Sequence, residues 1–361
     1  MGEILGLGIS HFPGFIYNDS DMSMRIKQTL TSPKVPEHLK DPANWPAEMR
    51  REWADDEGTA FASRHRAEFV DGVRKLRSAL DEFKPDLVVI FGDDQYENFK
   101  EDIIPPFCAF IQDEFHTQPY MNGPRAASAR AGGKAPPNVW EEPDDTWYVT
   151  KGHREAAKYL TTELLKSDFD MPYSYKLLHH EGLGHAFMYT QLYLDYDRTG
   201  WDYPLVPIAV NAYGRNIIRG KGMSGALFTS GEAEYDPPGP SPKRCFELGQ
   251  NVARILRDSP WRAAIVGSSS WSHAFLTDKN SWIYPDVATD KDRFAELKAG
   301  NYTAWRDLKS EDLESSGENE LLNWIPLAGA MHELNQKPSY CEFIESYLMN
   351  SCKCVALFPP K

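Results

Sequence analysis

Apolar residues fall along the chain in short runs divided by polar stretches rich in proline and glycine. Ile4 to Ile9 carries no charge and reads as a buried strand. Pro13 cannot donate to a ladder and Gly14 permits positive φ, so the strand stops and His11 sits just past its carboxyl end, where open α/β sheets place ligands. Tyr17 to about Asp56 is polar and broken by Pro33, Pro36, Pro42 and Pro46, which predicts an excursion over the surface. From about Ala60 to Phe83 apolar residues recur at helical spacing (Phe61, Phe69, Val70, Val73, Leu76, Leu80), and Leu87 to Phe91 is a continuous apolar strand ending in Gly92-Asp93-Asp94-Gln95. Strand, helix, strand predicts a right-handed crossover joining a parallel pair.

Beyond this unit the pattern predicts a strand near Pro106 to Ile111, a Gly-, Ala- and Pro-rich loop from Asn122 to Asn138 able to cover a site, and a helix from His153 to Leu165. Tyr173 to Leu178 alternates, and His179-His180-Glu181-Gly182-Leu183-Gly184-His185 follows. Leu205 to Val210 is another buried strand, 214 to 238 an insertion full of Gly and Ser, and 241 to 257 a helix. Ala263 to Val266 is a strand running into Gly-Ser-Ser-Ser-Trp-Ser-His273, and Val355 to Phe358 closes the chain as a strand. Ser315-Ser316-Gly317-Glu318 has the form of a capping box with Ser315 as cap, which leaves Glu320 just ahead of Leu321, Leu322, Trp324 and Ile325. A carboxylate there has no obvious solvent face and needs a metal or an arginine. With no internal repeat or low-complexity linker, residues 1–361 are expected to form one domain.

Composition narrows the partners. A chain of 361 residues with 41% hydrophobic and 12% aromatic content can bury a sizeable core. Its net charge of −14 argues against nucleic acid and anionic membranes, which call for a basic stripe. No leader pattern and no membrane-length apolar run is visible, so the expected location is the cytoplasm. Five cysteines without a CxxC pair read as reduced, and Cys352-Lys-Cys354 as one face of the last strand rather than a soft-metal pair.

Several familiar motifs fail on spacing. The histidines of His180-Glu-Gly-Leu-Gly-His185 are five apart with two glycines between them, which excludes a zinc-protease helix. Gly6-Leu-Gly8 lacks a third glycine, and Ser268 to Ser270 have no nucleophile-elbow frame. What remains is His11, the Asp94-Gln95 turn, His185, His273 and Glu320, a nitrogen and oxygen set that suits non-haem Fe(II) with one face open to substrate and O₂.

These stretches, in this order, resemble the class III extradiol ring-cleavage dioxygenases, the family of the protocatechuate 4,5-dioxygenase catalytic subunit. The resemblance rests on Gly8-Ile-Ser-His11-Phe-Pro, Val88-Val-Ile-Phe-Gly-Asp-Asp-Gln-Tyr-Glu-Asn-Phe99, Gly182-Leu-Gly-His185, Val206-Pro-Ile-Ala-Val-Asn211 with Pro240-Ser-Pro-Lys-Arg-Cys245, Gly267-Ser-Ser-Ser-Trp-Ser-His273, and Gly317-Glu-Asn-Glu320-Leu-Leu-Asn-Trp324 with Gly329-Ala-Met331. It implies an α/β fold, a central mixed sheet flanked by helices with the site at strand carboxyl ends. It also implies Fe(II) held by His11 and Glu320, His273 as the histidine that moves the substrate's proton, and His185 as one that orients substrate. The pKa of imidazole suits that work.

Gln95 departs from the pattern, standing where the family has its second histidine ligand. Either iron is held by His11, Gln95 and Glu320, or another side chain completes the set, with Asp94 nearest, or ring cleavage has been lost. The expected function is an Fe(II)-dependent extradiol-type dioxygenase acting on a catechol-like substrate and O₂. The alternatives are a silent relative that binds an aromatic ligand or partner, and a metal-dependent hydrolase. The resemblance also implies a homo-oligomer or a separate small subunit. Arg130, Arg215 and Arg219 are loop arginines able to meet a carboxylate.

Overall fold

The computed structural model describes residues 2–121, 137–180, 182–215, 220–221, 227–228 and 235–361. Its centre is a mixed sheet of eight strands flanked by helices. In chain order the strands are β1 (Ile4–Ile9), β2 (Leu87–Asp93), β3 (Phe107–Phe110), β4 (Glu114–Thr117), β5 (Tyr148–Lys151), β6 (Tyr173–Ser174), β7 (Leu205–Val210), β8 (Ala263–Ser268), β9 (Tyr340–Ile344) and β10 (Lys353–Phe358). The sheet runs β6-β3-β7-β2-β8-β1-β10-β9, and β4 and β5 pair separately. Strands β7, β2, β8 and β1 are mutually parallel, while β3 and β10 flank them antiparallel. Every residue of these four parallel strands is buried, as expected of strands covered on both faces.

The predicted crossover differs in one respect. Strands β1 and β2 point the same way, but β8 lies between them and pairs with both, Ile9 beside Ser268 and Phe91 beside Gly267. Local periodicity cannot report an insertion from so far along the chain. Strand β2 also runs two residues further than the apolar pattern, because Gly92 and Asp93 still pair with Ala209 and Val210 of β7. The carboxyl ends of β2, β8 and β1 therefore lie side by side.

Helices cover both faces. Thr59–Phe83 packs one face, and Pro242–Arg257 with Trp324–Glu333 packs the other. The second of these starts as predicted, with Ser241 accepting from the Arg244 N–H and Pro242 in the first turn. The stretch after Tyr17 is more than a surface excursion: it forms short helices at Met24–Thr29 and Ala47–Trp53 and buries Met22, Ile26, Val35, Trp45 and Met49. The alternating segment after Tyr173 pairs only at Tyr173–Ser174. Ser315 is not a cap. Ser315 and Ser316 close the helix Ser310–Ser316, which Gly317 ends at φ 71°, and Ser316 Oγ donates to Glu318 at 2.9 Å. Most of the Asn122 to Asn138 loop, much of the 214 to 238 insertion, and Arg130 and Arg219 lie outside the described residues.

Candidate metal centre and active site

Ser10 fixes the end of β1 by accepting from the Cys354 N–H at 2.9 Å, and His11 follows, buried. Its Nδ1 lies 3.1 Å from the Ser268 carbonyl and 2.9 Å from the Ser268 hydroxyl. A carbonyl only accepts, so that bond places the proton on Nδ1 and leaves the Nε2 lone pair facing inward. Nε2 stands 3.3 Å from Glu320 Oε2 and 3.7 Å from Asp93 Oδ1.

Asp93 is the last residue of β2 and fully buried. Asn323 Nδ2 donates to its Oδ1 at 2.7 Å, while Oδ2 has no hydrogen-bond partner among the described residues and lies 3.8 Å from His185 Nε2. Its neighbour Asp94 turns away. It accepts from the backbone N–H groups of Glu97, Asn98 and Phe99 and from the Tyr213 hydroxyl, so it builds the turn instead of facing the site. Gln95 does face the site, and its Nε2 donates to Glu320 Oε1 at 2.8 Å.

Glu320 sits in a short 3₁₀ turn, Asn319–Asn323, against the carboxyl end of β8. Ser269 Oγ donates to the Glu320 carbonyl at 2.7 Å, and Trp324 Nε1 donates to the Ser269 carbonyl at 2.8 Å. Trp324 lies flat enough on β1 that a Cβ at Gly8 would come within 2.3 Å of its ring. Only glycine there lets the turn carrying Glu320 approach the sheet. Glu320 Oε2, like Asp93 Oδ2, is buried without a hydrogen-bond partner among the described residues.

The two remaining histidines face the same spot. His185 opens the helix His185–Leu194, and its Nδ1 and backbone N–H both reach the Glu97 carboxylate, at 2.9 and 3.0 Å. His273 holds its Nδ1 3.0 Å from the Trp271 carbonyl and its Nε2 3.5 Å from Glu320 Oε1. Each of the three imidazoles thus anchors Nδ1 outward and presents Nε2 inward, the arrangement in which a second partner fixes tautomer and ring for metal or proton chemistry.

Charge follows from this packing. Burial by itself would raise Glu320, but His273, His11 and His185 hold its carboxyl down at about 2. Burial, and then the charge of Glu320, push Asp93 upward. Burial would lower His185, but Glu97, with Asp93 and Glu320, lifts it to about 10. Burial pulls His273 below its ordinary value against the pull of Glu320, so its Nε2 is a free base at neutral pH. Two buried carboxylates, each with one oxygen unmet by any hydrogen bond, suit a divalent cation, and His11, Asp93 and His185 offer donor atoms within 4.8 Å of one another.

Residues 235–351 match the family model of the catalytic LigB subunit of aromatic ring-opening dioxygenase. A 2,3-dihydroxyphenylpropionate/2,3-dihydroxicinnamic acid 1,2-dioxygenase 2 of Pseudomonas putida is 24% identical over 274 residues, 75% of this chain and 67% of that one. The corresponding dioxygenase of Burkholderia vietnamiensis is 25% identical over 287 residues, 72% of this chain and 79% of that one. The chain is a relative of the class III extradiol dioxygenases.

The matched segment carries β8, His273 and Glu320, while His11, Asp93, Gln95 and His185 come from the part before it. The structure brings all five residues singled out from the sequence, His11, Gln95, His185, His273 and Glu320, around one point. Sequence reasoning did not single out Asp93, Glu97, Ser268 or Asn323. Asp93 was visible as a polar residue after an apolar strand, but only the β2–β7 register shows that it belongs to the strand. Nothing in the sequence signals Glu97. Arg215 is engaged with Glu314 at 2.9 Å, and among the described residues no helix is long and apolar enough to cross a membrane.

Glu97 and His185 make a testable pair. Burial would raise Glu97, but His185 depresses it to about 2, so its contribution to stability is present above its ordinary value of 4.5 and is lost as pH falls toward 2. His185 is raised, so its contribution is full below its ordinary 6.5 and is lost as pH rises toward 10. In metal-free protein Glu97→Gln is expected to cost about 3 kcal/mol near pH 6. Denaturant unfolding should show the gap to wild type narrowing as pH approaches 10, and a gap that stays constant would mean that Glu97 holds no charged imidazole.

Proposed function

We propose that this protein is a non-haem Fe(II)-dependent extradiol dioxygenase that opens a catechol-like ring beside its diol with O₂, giving a semialdehyde acid. The observation that carries the reading is the convergence of three imidazole Nε2 atoms and two carboxylates with unmet oxygens at the carboxyl ends of β1, β2 and β8. His11, Glu320 and Asp93 are the proposed donors to the metal, with His185 beside them. Gln95, through its nitrogen, fixes the orientation of Glu320, and the rival assignment makes the Gln95 carbonyl the third donor. The ferrous ion would supply a site where diol and O₂ meet and exchange electrons.

The chain's own residues supply the rest. His273, neutral and with Nε2 turned inward, takes the proton from a substrate hydroxyl and keeps it for later return. His185, held by Glu97, donates from Nε2 to an oxygen of the substrate. Buried Phe12 and Phe275 keep the adjoining walls apolar. We place this activity in one domain in the cytoplasm, working as a homo-oligomer or with a separate small subunit. The contact of the Gln95 nitrogen with Glu320 favours, as the second reading, a relative that binds aromatics without opening them.

One experiment separates the two. Protein loaded anaerobically with Fe(II) should consume O₂ with a catechol, and His273→Phe should keep its iron while losing roughly 10²- to 10⁴-fold in turnover. Full iron with no O₂ uptake over a catechol panel would leave the silent reading.

A further inference from the structure

The half-buried arginines of this acidic chain follow a rule with one exception. Arg66, Arg77, Arg198, Arg215 and Arg293 each contact a carboxylate, and so do the other partly buried arginines among the described residues. Arg25 alone meets no carboxylate among the described residues. Its one hydrogen bond to a described residue is from Nη1 to the neutral amide of Gln28, at 3.1 Å. Its guanidinium lies 4.6 Å over the ring of Phe275, and that ring meets His273 edge to face at 5.6 Å between centroids. Burial draws Arg25 down to about 10, offset only in part by Tyr17.

A cation taken from water without an anionic partner is costly, and its neighbours here are chemically pointed. One aromatic ring separates it from the proposed proton-handling histidine. A catechol whose diol reaches the carboxylates and whose ring lies beside His273 would direct a short side arm along Phe275 toward Arg25. The overall charge of −14 repels anions, so an acidic substrate requires a local cation of this kind. A planar guanidinium can also grip a carboxylate with two parallel hydrogen bonds.

We propose that Arg25 determines specificity by holding a carboxylate on the side arm of the aromatic substrate. This rests on the dioxygenase reading for the ring's position, and it is tested by binding that needs no turnover. The probes are 3-phenylpropanoate, which has the acid and no diol, and its uncharged amide, titrated calorimetrically against the full chain without metal. Wild type should bind the acid about ten- to a hundredfold more tightly than the amide. Arg25→Gln should abolish that preference while leaving the amide's affinity unchanged, and Arg25→Lys should restore part of it. Equal binding of acid and amide to wild type, or binding of neither, overturns the proposal, as does a preference that survives in Arg25→Gln. If acid binding depends on Arg25 while catechols are never opened, Arg25's role stands and the dioxygenase reading falls.

Discussion

Glu320→Gln is expected to empty the metal centre while leaving the fold intact. Glu320 is buried, ionised and, among the described residues, short of a hydrogen-bond partner at Oε2, and His273, His11 and His185 hold its carboxyl down at about 2. Replacing it by an amide removes a donor and places N–H groups against His11 and His273. The loss in affinity should exceed the roughly 10- to 100-fold that follows removal of a partner outside the coordination set. Without metal the variant should fold but be less stable than wild type near neutral pH, because the histidines that hold the Glu320 carboxyl down lose their partner, a loss offset only in part by relieving Asp93 of a neighbouring like charge. Two measurements check this: iron content after anaerobic gel filtration, and the rise in Tm on adding Fe(II), which should be present in wild type and absent in the variant. Iron retained at wild-type stoichiometry would remove Glu320 from the donor set.

A paired comparison of Asp93 and Gln95 has the next largest expected effect. Asp93→Asn keeps shape and can still accept from Asn323, but it removes a buried carboxyl group aimed between His11 and His185, which a cation would meet as a carboxylate. Gln95→Ala removes a hydrogen bond to Glu320 and no charge. If Asp93 is the third donor, Asp93→Asn should weaken Fe(II) binding by about 10²-fold or more and Gln95→Ala by about 10-fold or less. Anaerobic titration against a competing chelator gives both numbers. The reverse order would assign the position to the Gln95 carbonyl.

Why the sequence pointed to Gln95 and missed Asp93 is a matter of what local pattern can carry. Apolar runs located β1, β2, β7 and β8 because strands covered on both faces need continuous apolar residues. Polar clusters at the ends of β1, β2 and β8 marked His11, Gln95 and His273 as candidates, while His185 stood out in a histidine- and glycine-rich stretch and Glu320 as a carboxylate ahead of an apolar run. Deciding whether Asp93 or Asp94 faces the site needs the strand's last residue, and the Gly92-Asp93 pairing with β7 is a non-local fact. The same holds for Glu97, whose value lies in reaching the start of a helix 88 residues later. The helix end at Gly317 was misread for a simpler reason: serine and glutamate at capping-box spacing occur equally well where a helix stops.

The position of β8 between β1 and β2 also decides when the centre can exist. During synthesis β1, its helix and β2 emerge first, yet the strand that binds them to each other is absent until Ser268 has been added. Glu320 comes later still. The contacts that close the centre span 225 residues from Gln95 to Glu320 and 257 from His11 to Ser268. Such long closures are slow to form and gain nothing until both ends are present. On the proposed donor set, His11 and Asp93 alone would have little hold on a metal, and the ion would be acquired by the completed fold in a step separate from translation.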